Sequence, residues 1–241
     1  MRTLKRKILH IVLFLYFIVP FHYLFAKSHA YSVEHITRSE GLNNASAHCI
    51  IQGSDGFIWI GTANGLIKYD GISFIQFVSN KHIPTTLSNN YINSLMEDSK
   101  GNIWVGTNQG ALNKFNKYSG KFKRYNHQKG DSNSIGAGSV YSILEDTHGN
   151  IWVAVNPSGL YFFNPETEKF YRFWLPEEKQ KPNKKIRAYS LFLDSDDEIW
   201  VGTNNGVYRI KPNFDRQFTQ RSMFNAFNFI KKNTIVEFWN T

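Results

Sequence analysis

The stretch Asp98-Ser-Lys-Gly-Asn-Ile-Trp104-Val-Gly-Thr107 decides the fold, because it occurs four times in the chain. Its tryptophan recurs at spacings of 45, 48 and 48 residues, and a fixed period of this length indicates a repeat protein. The four copies are Gly53–Thr62, Asp98–Thr107, Asp146–Val155 and Asp194–Thr203, with the tryptophans Trp59, Trp104, Trp152 and Trp200.

Each unit divides at turn signals into four short segments rich in β-branched and aromatic residues, as strands require. In the second unit the predicted strands are Ile92–Glu97, Ile103–Thr107, Ala111–Phe115 and Lys121–Tyr125. The Asp-x-x-Gly segment closes the first hairpin, since Asp can bond backbone amides and Gly tolerates positive φ. The unit is therefore predicted to be a four-stranded antiparallel meander.

The second strand of each unit predicts burial on both faces of the sheet. Ile103, Trp104 and Val105 are consecutive apolar residues rather than an alternation. Meanders repeated every 40 to 50 residues and covered on both faces are typical of β-propeller blades. We expect an all-β partial propeller of four four-stranded antiparallel blades, in which each repeat tryptophan fills the wedge between neighbouring blades.

Charge and cysteine content exclude several classes of protein. The 241 residues carry a formal charge of +9, but from residue 31 onward 23 basic residues face 19 acidic ones. Because no basic stripe crosses the repeats, a nucleic-acid partner is not expected. The single cysteine, Cys49, excludes an internal disulfide and a cysteine-based zinc site, and it is interpreted as a small core residue.

The first thirty residues have the composition of a secretory signal. A basic segment, Met1–Lys7, precedes the mostly apolar Ile8–Phe25, and Ser28 and Ala30 stand three and one before a cleavage point. The alternative is a retained inner-membrane anchor, and either would form a helix before the propeller. Both readings place the rest of the chain in the periplasm, with a membrane contact only through this segment.

The pattern Leu87-Ser-Asn-Asn-Tyr-Ile-Asn-Ser-Leu-Met-Glu-Asp98-Ser-Lys-Gly-Asn-Ile-Trp-Val-Gly-Thr107 resembles the two-component regulator propeller repeat. The resemblance covers residues 31 to about 218. It implies the periplasmic sensor region of a hybrid two-component histidine kinase of Bacteroidetes type, which recognises signals such as glycan fragments. Gly-His and Trp-Asp marks of a WD-repeat protein are absent.

The chain departs from the plan that this resemblance implies. No fifth repeat, second membrane span or kinase motif follows Phe218, so we expect a truncated sensor without kinase activity. Val33–Ile36 matches the phase of outermost strands, which predicts an orphan outer strand over 31–37. The expected segments are 1–30 as signal or anchor, 38–78, 87–126, 135–174 and 186–218 as blades, and 219–241 as an aberrant tail.

Meander topology gathers two sets of side chains on one face of the ring. Turns between the second and third strands lie beside the crossovers between blades, and the innermost strands begin there. Amides and aromatic rings at such a mouth suit a neutral sugar, although Asn is also common in turns and Tyr in blade interfaces. The candidate ligand-binding residues are His48, Asn93, Tyr141, Tyr189, Asn64, Asn108, Asn156 and Asn204.

Catalysis and cofactors find little support. His35, His82, His127 and His148 are scattered over different loops, and turn capping accounts for Asp98, Asp146 and Asp194. No catalytic residue, metal or cofactor is expected. The expected partners are an oligosaccharide ligand and either a second copy or the remainder of a sensor. An exported propeller enzyme, such as a lyase or quinone-dependent dehydrogenase, and an adhesion scaffold remain alternatives.

Overall fold

The computed structural model describes residues 31–37, 41–42, 46–109, 111–180, 185–211 and 235–239. Two units, Met1–Ile36 and Thr37–Thr241, divide the chain, and the repeats lie in the second. The predicted signal segment, 1–30, falls outside the described residues. Within them, no helix is long and apolar enough to cross a bilayer.

Within the described residues, sixteen strands form four sheets, and each sheet follows chain order as an antiparallel meander. Blade 1 is β1 (Ala47–Gln52), β2 (Ile58–Thr62), β3 (Gly65–Tyr69) and β4 (Phe74–Phe77). Blade 2 is β5 (Ile92–Glu97), β6 (Ile103–Thr107), β7 (Ala111–Asn116) and β8 (Lys121–Asn126). Blade 3 is β9 (Gly138–Glu145), β10 (Ile151–Pro157), β11 (Gly159–Asn164) and β12 (Lys169–Phe173). Helix α1 (Pro176–Gln180) precedes blade 4, which is β13 (Ala188–Leu193), β14 (Ile199–Thr203), β15 (Gly206–Lys211) and β16 (Ile235–Trp239). The prediction of four antiparallel four-stranded blades is confirmed.

The repeat tryptophans of blades 1, 2 and 3 face the following blade. Trp59 meets Phe115 of blade 2 with ring centroids 5.3 Å apart, and Trp104 meets Phe163 of blade 3 at 5.4 Å. Trp152 lies in one core cluster with residues of blade 4. All three rings are buried, which confirms the predicted packing role and places most of the apolar core between sheets.

The second strand of each blade shows which blades have neighbours on both sides. Every residue of β6 is buried, as are the first five residues of β10. In β2 and β14, by contrast, buried and half-buried residues alternate at the start of the strand. Trp200 is half-buried, and Ile50 and Phe192 expose 64% of their surface. Blades 1 and 4 therefore each have one uncovered face.

Small residues two positions after the tryptophan allow the sheets to approach closely. A Cβ atom on Gly61 would lie 2.6 Å from Ile92 Cγ2, and one on Gly106 would lie 2.5 Å from Val140 Cγ1. Both distances are too short for real atoms, so glycine is required there. In blade 3 this position is Ala154. The residue of blade 4 that takes the place of Ile92 and Val140 is Ala188, which is smaller than either and is buried in the same cluster as Ala154.

Two predictions about the ends of the repeat region differ from the structure. Residues 31–37, expected as an outer strand, have no regular secondary structure. The outer strand of blade 4 comes instead from the predicted tail, because β16 pairs with β15. Trp239 pairs with Val207 as Phe173 pairs with Leu160 in blade 3. The tail therefore supplies the one strand that the repeat signature does not mark.

Candidate functional site

On one side of the sheets, backbone hydrogen bonds join the turns within blades to the crossovers between blades. We call this side the crossover face. It holds the β2–β3, β6–β7, β10–β11 and β14–β15 turns, the crossovers 78–91 and 127–137, and the described parts of the third crossover, 174–180 and 185–187. Gly65 N donates to Asn90 O at 2.7 Å, and Asn108 N donates to Tyr91 O at 3.1 Å. The sequence-based assignment of these loops to one side is confirmed.

The four residues predicted from the innermost strands share an irregularity of the backbone. Pairing of β1 with β2 shifts register between Ala47 and Cys49, which leaves His48 as an extra residue. The same shift leaves an extra residue in the first strand of each other blade. These bulged residues, His48, Asn93, Tyr141 and Tyr189, are called the bulge row. Because bulges re-aim side chains and are frequent beside functional sites, the position favours a binding role.

Two members of the bulge row, His48 and Tyr141, contact the next blade. His48 Nδ1 lies 2.9 Å from Ile92 O; since a carbonyl only accepts, Nδ1 carries the proton, and in the neutral ring Nε2 is an acceptor. The rings of Tyr141 and Tyr189 meet edge to face at 6.0 Å. Tyr141 is 41% exposed and Tyr189 is 38% exposed, so both rings offer apolar surface and a hydroxyl group.

The predicted asparagines divide into different environments. Asn108 Oδ1 accepts hydrogen bonds from Asn93 Nδ2 at 3.3 Å and from Ser139 Oγ at 2.7 Å. Asn204 Oδ1 accepts from Arg187 N at 2.8 Å, which is a loop-fixing role. Asn64 is exposed in its turn. Asn156 lies inside β10, not in a turn as predicted, because the strand continues to Pro157. Asn108 is thus joined to the bulge row by a side-chain hydrogen bond.

The recurrent aspartates act in turns, as the sequence predicts. Asp98 Oδ1 accepts from Asn102 N at 2.8 Å, and Oδ2 accepts from Trp104 Nε1 at 2.8 Å. Asp146 and Asp194 repeat the bond to their tryptophans at 2.9 and 2.6 Å. These carboxylates hold the first hairpin against the core. Among the described residues, no group of three His, Cys, Asp or Glu side chains could hold a metal ion.

Sequence reasoning missed a cleft of about 400 Å³ beside blade 3. The crossover segment 131–136 forms one wall, and Tyr161, Arg172 and Trp174 form the other. The Arg172 guanidinium lies 3.8 Å from the centre of the Trp174 ring and bonds Glu178 at 2.8 Å. Trp174 is 42% exposed. The sequence feature that could have pointed to this cleft is Arg172, which occupies the same repeat position as Arg124.

Comparison of the sequence with protein families finds one repeat in each blade. The model described as two component regulator propeller matches residues 41–64, 86–109, 134–156 and 181–205. Each match spans the first two strands of a blade, including the bulged position and the repeat tryptophan. No curated protein matches the chain significantly in sequence.

Solved structures share the fold. An extracellular domain assigned to a hybrid two-component system of B. thetaiotaomicron has a TM-score of 0.60 and 22% identity, over 76% of this chain and 31% of that one. Another, assigned to a one-component system of that organism, has a TM-score of 0.60 and 24% identity, over 79% and 25%. A streptogramin B lyase has a TM-score of 0.55 and 22% identity, over 73% and 54%. The chain spans only part of each, and at these identities the likeness establishes the propeller fold.

Proposed function

Because this chain belongs to the two-component regulator propeller family, we propose that it is the ligand-binding part of an extracytoplasmic sensor and is not itself an enzyme. The chain would act in the periplasm, to which the N-terminal segment delivers it. The signal would pass to a kinase, and ligand binding is the part of the function that these residues carry. The extracellular domain assigned to a hybrid two-component system, which shares the propeller fold, supports this assignment.

The observation that carries the proposal is the bulge row. Four blades, with histidine, asparagine or tyrosine at the bulge, keep the same backbone irregularity at the same place on the crossover face. A bulge interrupts strand pairing, so packing alone gives no reason to repeat it with polar and aromatic residues. Each bulge presents its side chain at the start of an innermost strand.

The chemistry of the bulge row suits a neutral oligosaccharide. Tyr141 and Tyr189 supply partly exposed rings on which a pyranose can stack. Asn93 and Asn108 supply amide groups that both donate and accept, and the neutral ring of His48 supplies Nε2 as an acceptor. The row extends across four blades, so we expect a ligand of several sugar units rather than a monosaccharide.

Screening of the purified exported chain against an array of neutral oligosaccharides tests the proposal. We expect binding that weakens about tenfold or more in Tyr141→Ala and Tyr189→Ala, because each loses a stacking surface. Tyr118→Ala is the matched control, since Tyr118 is 98% exposed in the β7–β8 turn on the opposite side. A folded chain that binds no glycan, or equal weakening by all three substitutions, would overturn the proposal.

The uncovered faces of blades 1 and 4 suggest a protein partner in addition to the oligosaccharide. Ile50 and Phe192 belong to faces that in blades 2 and 3 are covered by a neighbouring blade. Exposed sheet faces of this kind favour association. We propose that these faces contact either a second copy of the chain or the remainder of a longer sensor.

A further inference from the structure

The crossover between blades 1 and 2 is built around an arginine. Arg124, on outer strand β8, points its guanidinium into the loop formed by residues 80–87. Its Nε donates to Thr86 O at 2.7 Å. Its Nη2 lies within 2.9 Å of the carbonyl oxygens of Asn80, Ile83 and Leu87. This set of convergent carbonyls is called the carbonyl ring.

The crossover between blades 2 and 3 has the same backbone framework. Asn133 O accepts from Phe170 N at 2.8 Å, as Thr85 O accepts from Phe122 N at 2.9 Å. Ser134 Oγ donates to the carbonyls of Gln128 and Asp131. Thr86 Oγ1 makes the corresponding bonds in the first crossover. The repeat offset is 48 residues throughout, so a second carbonyl ring is formed by residues 128, 131, 134 and 135. Ile135 O also lies 2.9 Å from His127 Nδ1, which leaves this carbonyl one further lone pair.

The arginine that should fill this second ring is turned away from it. Arg172, 48 residues after Arg124, bonds Glu178 through Nη2 at 2.8 Å and stacks on Trp174. Its Nε, which in Arg124 bonds a ring carbonyl, is buried without a partner. Glu178 lies six residues after Arg172, and the corresponding residue after Arg124 is Gly130, which has no carboxylate. The buried glutamate thus explains why only one of the two arginines enters its ring.

The cleft of about 400 Å³ opens beside the second ring. Asp131, Ser134 and Ile135 line it on the crossover side, and Trp174 lines it opposite. Arg172 and Glu178 neutralise each other, whereas Asp131 forms no ion pair within the described part of the chain. Carbonyl oxygens, one carboxylate and an exposed indole ring are the groups that bind an organic cation.

We propose that this cleft is a binding site for a guanidinium-bearing ligand, such as an arginine side chain of a peptide, which takes the place that Arg124 takes in the first crossover. The planar donor set of a guanidinium matches carbonyls that converge on one point. Trp174 would cover one face of the ligand, and Asp131 would supply the opposite charge. The site shares no residue with the bulge row and is independent of sugar binding.

Calorimetric titration of the full chain with N-acetyl-arginine amide tests the site, with N-acetyl-citrulline amide as the neutral probe of nearly the same shape. We expect one arginine probe per chain, bound about tenfold or more tightly than citrulline, because the hydrogen bonds are charge-assisted. Asp131→Asn and Trp174→Ala should each weaken the arginine probe severalfold. Equal binding of the two probes, no binding, or unchanged affinity in both variants would overturn the proposal.

Arg124→Ala provides an internal control, because it empties the first ring. We expect this variant to bind a second arginine probe, and the probe to raise its melting temperature more than that of the original chain. Binding to the second ring only after Arg172→Ala would show that Arg172 fills that ring in solution, and would also overturn the proposal.

Discussion

Trp59 Nε1 lies 3.1 Å from the position that a Cβ atom on Gly53 would occupy, and it is buried without a hydrogen-bond partner. The other three repeats have aspartate at this position, and each aspartate accepts the indole N–H. In blade 1, Lys117 approaches the same space from the neighbouring blade, held by Asp55 at 3.1 Å and Glu97 at 2.6 Å. Blade 1 therefore lacks one bond that its sister blades have.

Gly53→Asp should stabilise the chain by about 1–2 kcal/mol, because it satisfies a buried donor and adds an acceptor near Lys117. The gain is below the full cost of an unpaired donor, since the new Cβ requires Asp55 Oδ1, 2.5 Å away, to move. Urea unfolding followed by circular dichroism measures it. Asp98→Ala is the reverse control and should destabilise by about 1–3 kcal/mol; a loss of stability in Gly53→Asp would contradict this account of blade 1.

Close approach between sheets predicts different outcomes for two equivalent glycines. Gly106→Ala should destabilise by about 1–3 kcal/mol, because its Cβ meets Ser94 Oγ at 2.2 Å and Val140 Cγ1 at 2.5 Å. Gly202→Ala also meets its own blade's serine, Ser190 Oγ, at 2.3 Å, but no residue of another blade. The difference between the two unfolding free energies isolates blade-to-blade packing, and equal effects would contradict that packing.

The burial of Cys49 predicts that its thiol reacts slowly. Burial raises the pKa of Cys49 to about 11, against a smaller lowering by the backbone of Gly61. At pH 8 the folded chain should react with iodoacetamide roughly 100-fold more slowly than the urea-unfolded chain. Because the folded pKa is raised, its contribution to stability is present below pH 9 and is lost as pH rises towards 11. Equal rates for folded and unfolded protein would contradict the burial of this residue.

Uncovered blade faces predict association that depends on concentration. Phe192→Lys and Ile50→Lys should each lower the average mass measured by sedimentation velocity, because a charge replaces apolar surface on an open face. Tyr118→Lys, on a turn away from both faces, is the control. An unchanged mass distribution in both face variants would show that these faces do not mediate association.

The repeat made the blades predictable, and β5 and β6 have their predicted bounds because turn residues mark both ends. The outer strand of blade 4 was missed because Ile235–Trp239 lies far from β15 in sequence and carries no repeat signature. The residues of the bulge row were found by counting back from the repeat tryptophans. Its bulges depend on strand pairing across the blade, which spacing alone does not reveal.

The cleft beside blade 3 shows the limit of reasoning from repeats. Arg124 and Arg172 occupy the same position, and sequence alone predicts the same role for both. The two side chains point in different directions because Glu178 on α1 offers Arg172 a buried carboxylate. Tyr161 also stands where Asn113 stands in blade 2 and lines the cleft. Such differences arise from contacts between elements that are distant from the repeat signature.

Hydrogen exchange measured by mass spectrometry, with and without the best oligosaccharide from the array, tests the central claim that the bulge row binds ligand. The account predicts slower exchange at the starts of β1, β5, β9 and β13, around His48, Asn93, Tyr141 and Tyr189. Exchange at the Asn116–Gly120 turn should stay unchanged. Protection confined to that opposite side, or chemical conversion of the sugar during incubation, would contradict the claim of a non-catalytic sensor site.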